Sequence, residues 1–290
     1  MLSTPTKMLS KPYSNSLMKN EVFNGTRFWN YLKYDLTQMG RNHVRAAIGI
    51  GLMGLIFYVI YTAVHLIFNG AEWQAPGLVA RTSVFGLACF ALMLYQTRTY
   101  GYLTDKRKGS AWLMMPASSF EKWLSMLLLT LVVIPLLFFG ASFLVDTLIA
   151  WLDPTAGESI LHAAGKWYNT VSTEISKVNE DYMTTWNLGV FLSAGIASFT
   201  GTLLYFLLCG ISFKRNKILG AFAVIFGISL LTSLVGVTIG GSLDADTFFN
   251  DPAEAEIAIR RMITWTTASS WAIVLLLAGG IYFRIKTLKH

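Results

Sequence analysis

The run KWLSMLLLTLVVIPLLFFGASFLVDTLIA, residues 122–150, has Lys122 at its start, Asp146 near its end and no other charge. About 20 predominantly apolar residues cross a bilayer as a helix, so this run is more than long enough. A span of this length tilts, projects beyond the membrane or kinks at Pro135. Five further runs meet the same criterion, at 46–68, 78–97, 188–210, 218–240 and 263–284. The sequence therefore predicts an all-α, polytopic membrane protein of six transmembrane helices. Composition agrees: the 290 residues are 54% hydrophobic and 13% charged, where soluble domains average about 25% charged. Residues 1–44 hold no signal-peptide core, so insertion is expected through the first span, with nothing cleaved.

The basic residues assign the sides. With the N-terminus inside, the segments 1–45, 98–121, 211–217 and 285–290, plus Lys122 and Arg284 at span ends, carry 18 of the 23 Lys and Arg. The other five are Arg81, Lys166, Lys177, Arg260 and Arg261. Positive charge marks the cytoplasmic side, which gives an N-in, C-in topology. Eleven of the sixteen acids fall on the opposite side. A net charge of +7 distributed this way follows topology, so no nucleic-acid partner is expected.

The domain reading is a cytoplasmic tail, 1–45, followed by a transmembrane domain, 46–290. Within the tail, 27–39 (RFWNYLKYDLTQM) places Phe28, Leu32, Leu36 and Met39 on one helical face, flanked by Trp29, Tyr31 and Tyr34. This composition suits a helix lying in the inner-leaflet interface, in contact with membrane lipids. The alternative is an ordinary helix packed on a neighbour. In the outer loop, 151–187, Leu161, Ala164, Tyr168, Val171, Ile175, Val178 and Tyr182 alternate by three and four. Such a helix could pack on its own bundle, which is the expectation, pair with a second copy or meet an external protein. The acidic loop 241–262 lacks calcium-loop spacing and reads as a solvated face.

Catalytic chemistry is hard to find. There is no GxxxxGK[ST] phosphate loop and no HExxH, and the four histidines are scattered. Gly140-Ala141-Ser142 is the nearest fragment to a serine nucleophile, but His65 is the only histidine in a span and such fragments arise freely in Gly- and Ser-rich helices. Cys89 and Cys209 lie in apolar runs and read as buried thiols. No metal or cofactor is expected. Asp146 and His65 sit near outer span ends, where snorkelling accounts for them. No ionisable group lies near mid-span, which argues against an ion-coupled transporter.

The cytoplasmic connection 98–121 is the most informative segment. After the basic cluster Lys106, Arg107 and Lys108 come Trp112, Leu113, Met114 and Met115, ended by Pro116. Ser118 and Glu121 then have capping-box spacing, which starts the third span's helix before the membrane. The apolar tip is either a turn dipping into lipid or a docking knob for a cytosolic protein, since Trp and Met suit such contacts.

On these residues the chain resembles the permease subunits of ABC-2-type exporters. MMPASSFEKW, 114–123, is similar to the L-P-x-S-x-x-E pattern, followed by a basic residue, that follows the cytoplasmic connection in small permeases. LLCGISFKRNKILGAF, 207–222, is similar to a GG-x-x-F-K/R-K-N stretch, with Cys209 at the first glycine position. The 37-residue connection between spans three and four, and the polar segment before span six, differ from the family pattern.

The resemblance implies a subunit of a bacterial cytoplasmic (inner) membrane exporter. It would form a homodimer, or a heterodimer with a related permease, above a cytoplasmic ATP-binding subunit that hydrolyses ATP. Contact with that subunit would fall on Lys106, Arg107, Lys108, Trp112, Leu113, Met114 and Met115. A reading from a different class is a non-transporting membrane anchor or sensor that recruits partners through its loops.

Overall fold

The computed structural model describes residues 23–38, 40–68, 73–105, 109–110, 112, 114–182, 187–240 and 252–288. Among them there is no strand. Helix α1 is Gly25–Gln38; α2, Gly40–Gly51; α3, Met53–Phe68; α4, Leu78–Thr99; α5, Ser119–Leu128; and α6, Ile134–Leu152. Then come α7, Ile160–Tyr182; α8, Leu188–Ser212; α9, Lys217–Gly240; and α10, Pro252–Thr287. Short 3₁₀ turns follow α4 at Gly101–Thr104 and α6 at Pro154–Ala156.

Five stretches are long and apolar enough to cross a membrane: Arg41–Phe68, Leu78–Thr104, Ser119–Leu152, Leu188–Ser212 and Ile263–Thr287. The chain reads as a multi-pass membrane protein. The run at 218–240 forms α9, but its apolar portion within the described side chains, Lys217–Leu230, is shorter than the other five. The expected loop at 241–262 is already helical from Pro252, which opens α10 at a helix N-terminus where its missing N–H costs nothing.

The third span answers the question its length raised. Ser119–Leu152 is one 34-residue rod, about 51 Å long at 1.5 Å per residue, against a hydrocarbon core of about 30 Å. It therefore projects well past the bilayer. Pro135 has no N–H and would press its ring on the carbonyl four residues earlier. The helix widens into a π-type turn over Leu129–Val133, directly before α6, and so absorbs the proline.

Packing follows small residues, as it must where lipid is as apolar as the side chains. α8 is the most buried of the five spans and packs on α4 and α10. At Gly210 the backbones nearly touch: a Cβ there would lie 2.4 Å from the Thr97 carbonyl oxygen. At Gly51, where α2 crosses α6, a Cβ would lie 2.9 Å from both the Ala141 Cβ and the Phe138 carbonyl oxygen. Ser142 Oγ donates to the Gly51 carbonyl at 3.3 Å across the same crossing. Asn216 turns the chain from α8 into α9 with φ at 49°, a left-handed conformation that asparagine tolerates.

Candidate functional site

The 98–121 connection lies where α1, α5 and the start of α9 meet. Its local frame is a capping box. Ser118 Oγ accepts from the Glu121 N–H at 3.2 Å, and Glu121 Oε2 accepts from the Ser118 N–H at 2.9 Å. Glu121 does more than cap. Its fully buried carboxylate also takes the Asn24 N–H at 2.8 Å and a forked contact from Arg27, with Nε 2.7 Å from Oε2 and Nη2 2.8 Å from Oε1. Asn24 in turn caps α1, its Oδ1 accepting from the Thr26 and Arg27 amides at 3.1 and 3.2 Å. One carboxylate thus joins the start of α1, the end of the connection and the start of α5. Bidentate guanidinium contacts of this kind are among the stronger hydrogen bonds.

A second carboxylate locks the other end of α1. Asp35 is 1% exposed, and its Oδ2 accepts from Tyr100 and Ser125 hydroxyls, both at 2.8 Å. Among the described residues no cation pairs with it. Burial pushes its pKa above the ordinary carboxylate value, while the two hydroxyl donors partly counteract this. The neighbouring Tyr31 hydroxyl is held protonated, first by burial and then by the Asp35 carboxyl.

The predicted contact residues divide. Trp112 is 3% exposed and packs in the core with Tyr100, Leu103, Met126 and Leu129. The Lys122 ammonium closes over it, 4.8 Å from the indole centroid, and donates to the Trp112 carbonyl at 3.0 Å. The exposed apolar tip expected at Trp112 is therefore an anchor, because burying the indole removes a large apolar surface from water. Met114 is 83% exposed, and Pro116 is also exposed. Lys106, Arg107, Lys108 and Leu113 lie outside the described residues.

The α1 stripe divides as well. Leu32 is buried and Leu36 packs against the core, so these two residues meet protein. Phe28 is half-buried and packs against Phe23 with the rings tilted at 45°, while Trp29 is exposed. Met39 lies outside the described residues.

Between α1 and the connection runs an open groove of about 760 Å³, lined by Asn24, Arg27, Asn30, Tyr34, Met115 and Pro116, among others. Two ties fix its surroundings. Lys217 at the start of α9 donates to the Gly101 carbonyl and, at 2.8 Å, to Thr104 Oγ1. Trp123 Nε1 donates to the Ala278 carbonyl at 2.8 Å, which joins α5 to α10.

Sequence reasoning missed Arg27, Asp35, Tyr100 and Ser125 as parts of this site. The available signal was the acid Asp35 standing one residue before Leu36, on a helix otherwise apolar on that side.

The opposite end is built on Arg81 and Asp146. Arg81 Nη1 lies 2.6 Å from Asp146 Oδ1, with side chains 4% and 9% exposed. Arg81 Nη2 donates to the Ala156 and Glu158 carbonyls, both at 2.7 Å, and Asp146 Oδ2 accepts from the Ile160 N–H at 2.5 Å. Asp146 is thus paired inside the fold and does not snorkel. Beside it, Asp153 accepts from Tyr58 at 2.8 Å and from Trp73 at 2.7 Å. Burial alone would raise the Asp153 pKa, but hydrogen bonds from Thr155, Trp73 and Tyr58 outweigh it and lower it to about 2.

No family model, no curated protein and no solved structure matches the chain.

Proposed function

We propose that this chain is the permease subunit of an ATP-binding cassette exporter in a bacterial cytoplasmic membrane. It has six spans, with both termini inside, and works as a pair with itself or with a related permease above a separate ATP-binding subunit. The observation that carries the reading is the Glu121 clamp. A load applied to the connection at Met114–Pro116 is passed through Ser118 and Glu121 to the third span and, through Asn24 and Arg27, to α1. Transport coupled to a remote ATPase requires such a rigid link, and a passive anchor has no need of one.

The contact surface is narrower than the sequence implied. Met115 and Pro116 line one side of the groove and α1 forms its other wall, with exposed Met114 next in the chain. Trp112 holds the lip in place from beneath. The basic residues Lys106, Arg107 and Lys108 remain part of the proposed contact.

The test compares Met114→Asp with Trp112→Asp. Met114→Asp is expected to leave a folded, membrane-inserted chain that loses its ATPase subunit on purification. Trp112→Asp is expected to lower the amount of folded chain, because it puts a charge into the core. Full retention of the ATPase by folded Met114→Asp overturns the contact assignment. The anchor or sensor reading fails if vesicles holding the chain and its ATPase move a substrate when ATP is added.

A further inference from the structure

α9 and α10 both pack on α8, and an open cleft of about 720 Å³ runs between them. Gly201, Tyr205, Ser212, Val224, Ile225 and Ile273 are among the residues that line it. On α8 the lining extends from Ala197 to Phe213, about 24 Å at 1.5 Å per residue. One leaflet of a hydrocarbon core is about 15 Å deep, so a chain entering at the Phe213 end finds a groove along its whole length.

Three observations say what fills this cleft. The first is that its hydroxyls are occupied. Thr202 Oγ1 donates to the Ser198 carbonyl and Ser270 Oγ to the Thr266 carbonyl, both at 2.8 Å, and the Tyr205 hydroxyl donates to the Ala221 carbonyl at 2.6 Å. These protons are spent on backbone, so the walls offer a ligand mainly hydrocarbon surface. The second is charge at one end. Ser212 and Phe213 line the cleft and lead directly into Lys214 and Arg215, both exposed. Arg284 of α10 reaches the same place, its Nε donating to the Ile211 carbonyl at 3.3 Å. Among the described residues no acid forms an ion pair with Lys214, Arg215 or Arg284. Lys217, by contrast, is engaged by Gly101, Thr104 and the charge of Asp105. The third is that these charges oppose a second copy as the occupant. Two copies inserted in one orientation meet at equal depth about a two-fold axis. Cleft-to-cleft packing would set Lys214, Arg215 and Arg284 against their own counterparts, and like charges so placed are costly.

We propose that the cleft is a binding site for an anionic phospholipid. Its acyl chain lies along α8 between α9 and α10, and its phosphate sits at Lys214, Arg215 and Arg284. Basic pockets between spans take lipid headgroups in this way, and a guanidinium grips phosphate oxygens with two parallel bonds. The site depends only on the multi-pass reading, so it serves a permease and an anchor equally.

The test uses the full chain, purified and reconstituted in phosphatidylcholine vesicles, with Cys89→Ala and Cys209→Ala. A fluorophore is attached at Ile273→Cys, on the exposed rim of the cleft, or at Leu275→Cys, an exposed neighbour on α10 outside the lining. A low fraction of chain-brominated lipid then serves as quencher, either phosphatidylglycerol or phosphatidylcholine. At position 273 the anionic lipid should quench several-fold more than the zwitterionic one, and at position 275 the two should quench equally. Lys214→Gln with Arg215→Gln, both on exposed residues, should reduce the preference at position 273, and adding Arg284→Gln should abolish it. Equal quenching by the two lipids at position 273, or a preference untouched by the three substitutions, overturns the site. Quenching at 275 with none at 273 places protein in the cleft and also overturns it. Any of these failures leaves the ATPase contact at Met114 standing, and failure of that contact leaves the lipid site standing.

Discussion

Replacing Arg27 with alanine should loosen α1 without unfolding the bundle. Its guanidinium reaches both Glu121 oxygens at 2.7 to 3.0 Å. Glu121 is fully buried, whereas the Arg27 side chain is 40% exposed. Breaking a fully buried ion pair costs about 3–5 kcal/mol, and a hydrogen bond to a charged group contributes about 1.5–3 kcal/mol. The exposure of Arg27 and the amides of Asn24 and Ser118, which remain on the carboxylate, place this case low. A loss of about 2 kcal/mol is expected, which at about 1.4 kcal/mol per tenfold corresponds to roughly a thirtyfold rise in the undocked population of α1. Hydrogen exchange reads this directly, as faster exchange across 25–38 with little change in α8. Arg27→Lys should fall in between, because an ammonium keeps the charge and loses the fork. Unchanged exchange in α1 for Arg27→Ala would refute the claim that Glu121 clamps the helix.

Asp35→Asn should stabilise the docked α1 or leave it unchanged, because a buried uncharged amide replaces a carboxyl whose ionisation burial opposes. Since the folded-state pKa is raised, stability is full below the ordinary carboxylate pKa and falls as pH rises from there through the folded pKa. Wild-type thermal stability in detergent should therefore decline across that window, and Asp35→Asn should flatten the decline. Gly210→Ala should cost about 1–3 kcal/mol or more, seen as a lower Tm, because its methyl group must displace the Thr97 backbone. Arg81→Ala or Asp146→Ala should each cost about 3–5 kcal/mol by leaving one buried charge behind, whereas Arg81→Met with Asp146→Leu should recover much of that loss in the same melting assay.

The apolar helices were legible because each is written in a continuous run of its own residues, whereas the polar start of α10 from Pro252 was read as loop. The capping geometry at Ser118 and Glu121 was legible for the same reason, since four consecutive residues contain it. The heptad stripe gave the helix at 160–182 but not its surroundings, because period says which residues share a face and not what covers it. Trp112 was misread on that account: an apolar residue in a charged loop can face lipid, a partner or the core. What decided was Lys122, ten residues later, together with the surface of Tyr100 and Met126. Asp146 looked solitary because its partner lies 65 residues earlier. Asp35 and Glu121 take partners 65 to 97 residues away, a separation no local pattern encodes. Pro135 announced a disturbance in the third span, but only the packed helix shows that a π-type turn takes it up.

The most direct test of the coupling claim is a photo-cross-linker placed at Met114, with Lys166 as the control at the opposite end, in cells of the native host. Position 114 should capture a protein with a nucleotide-binding phosphate loop, position 166 should not, and Arg27→Ala should reduce ATP-dependent transport while sparing this capture. Recovery of the chain with no ATP-binding protein joined at position 114 would contradict that claim.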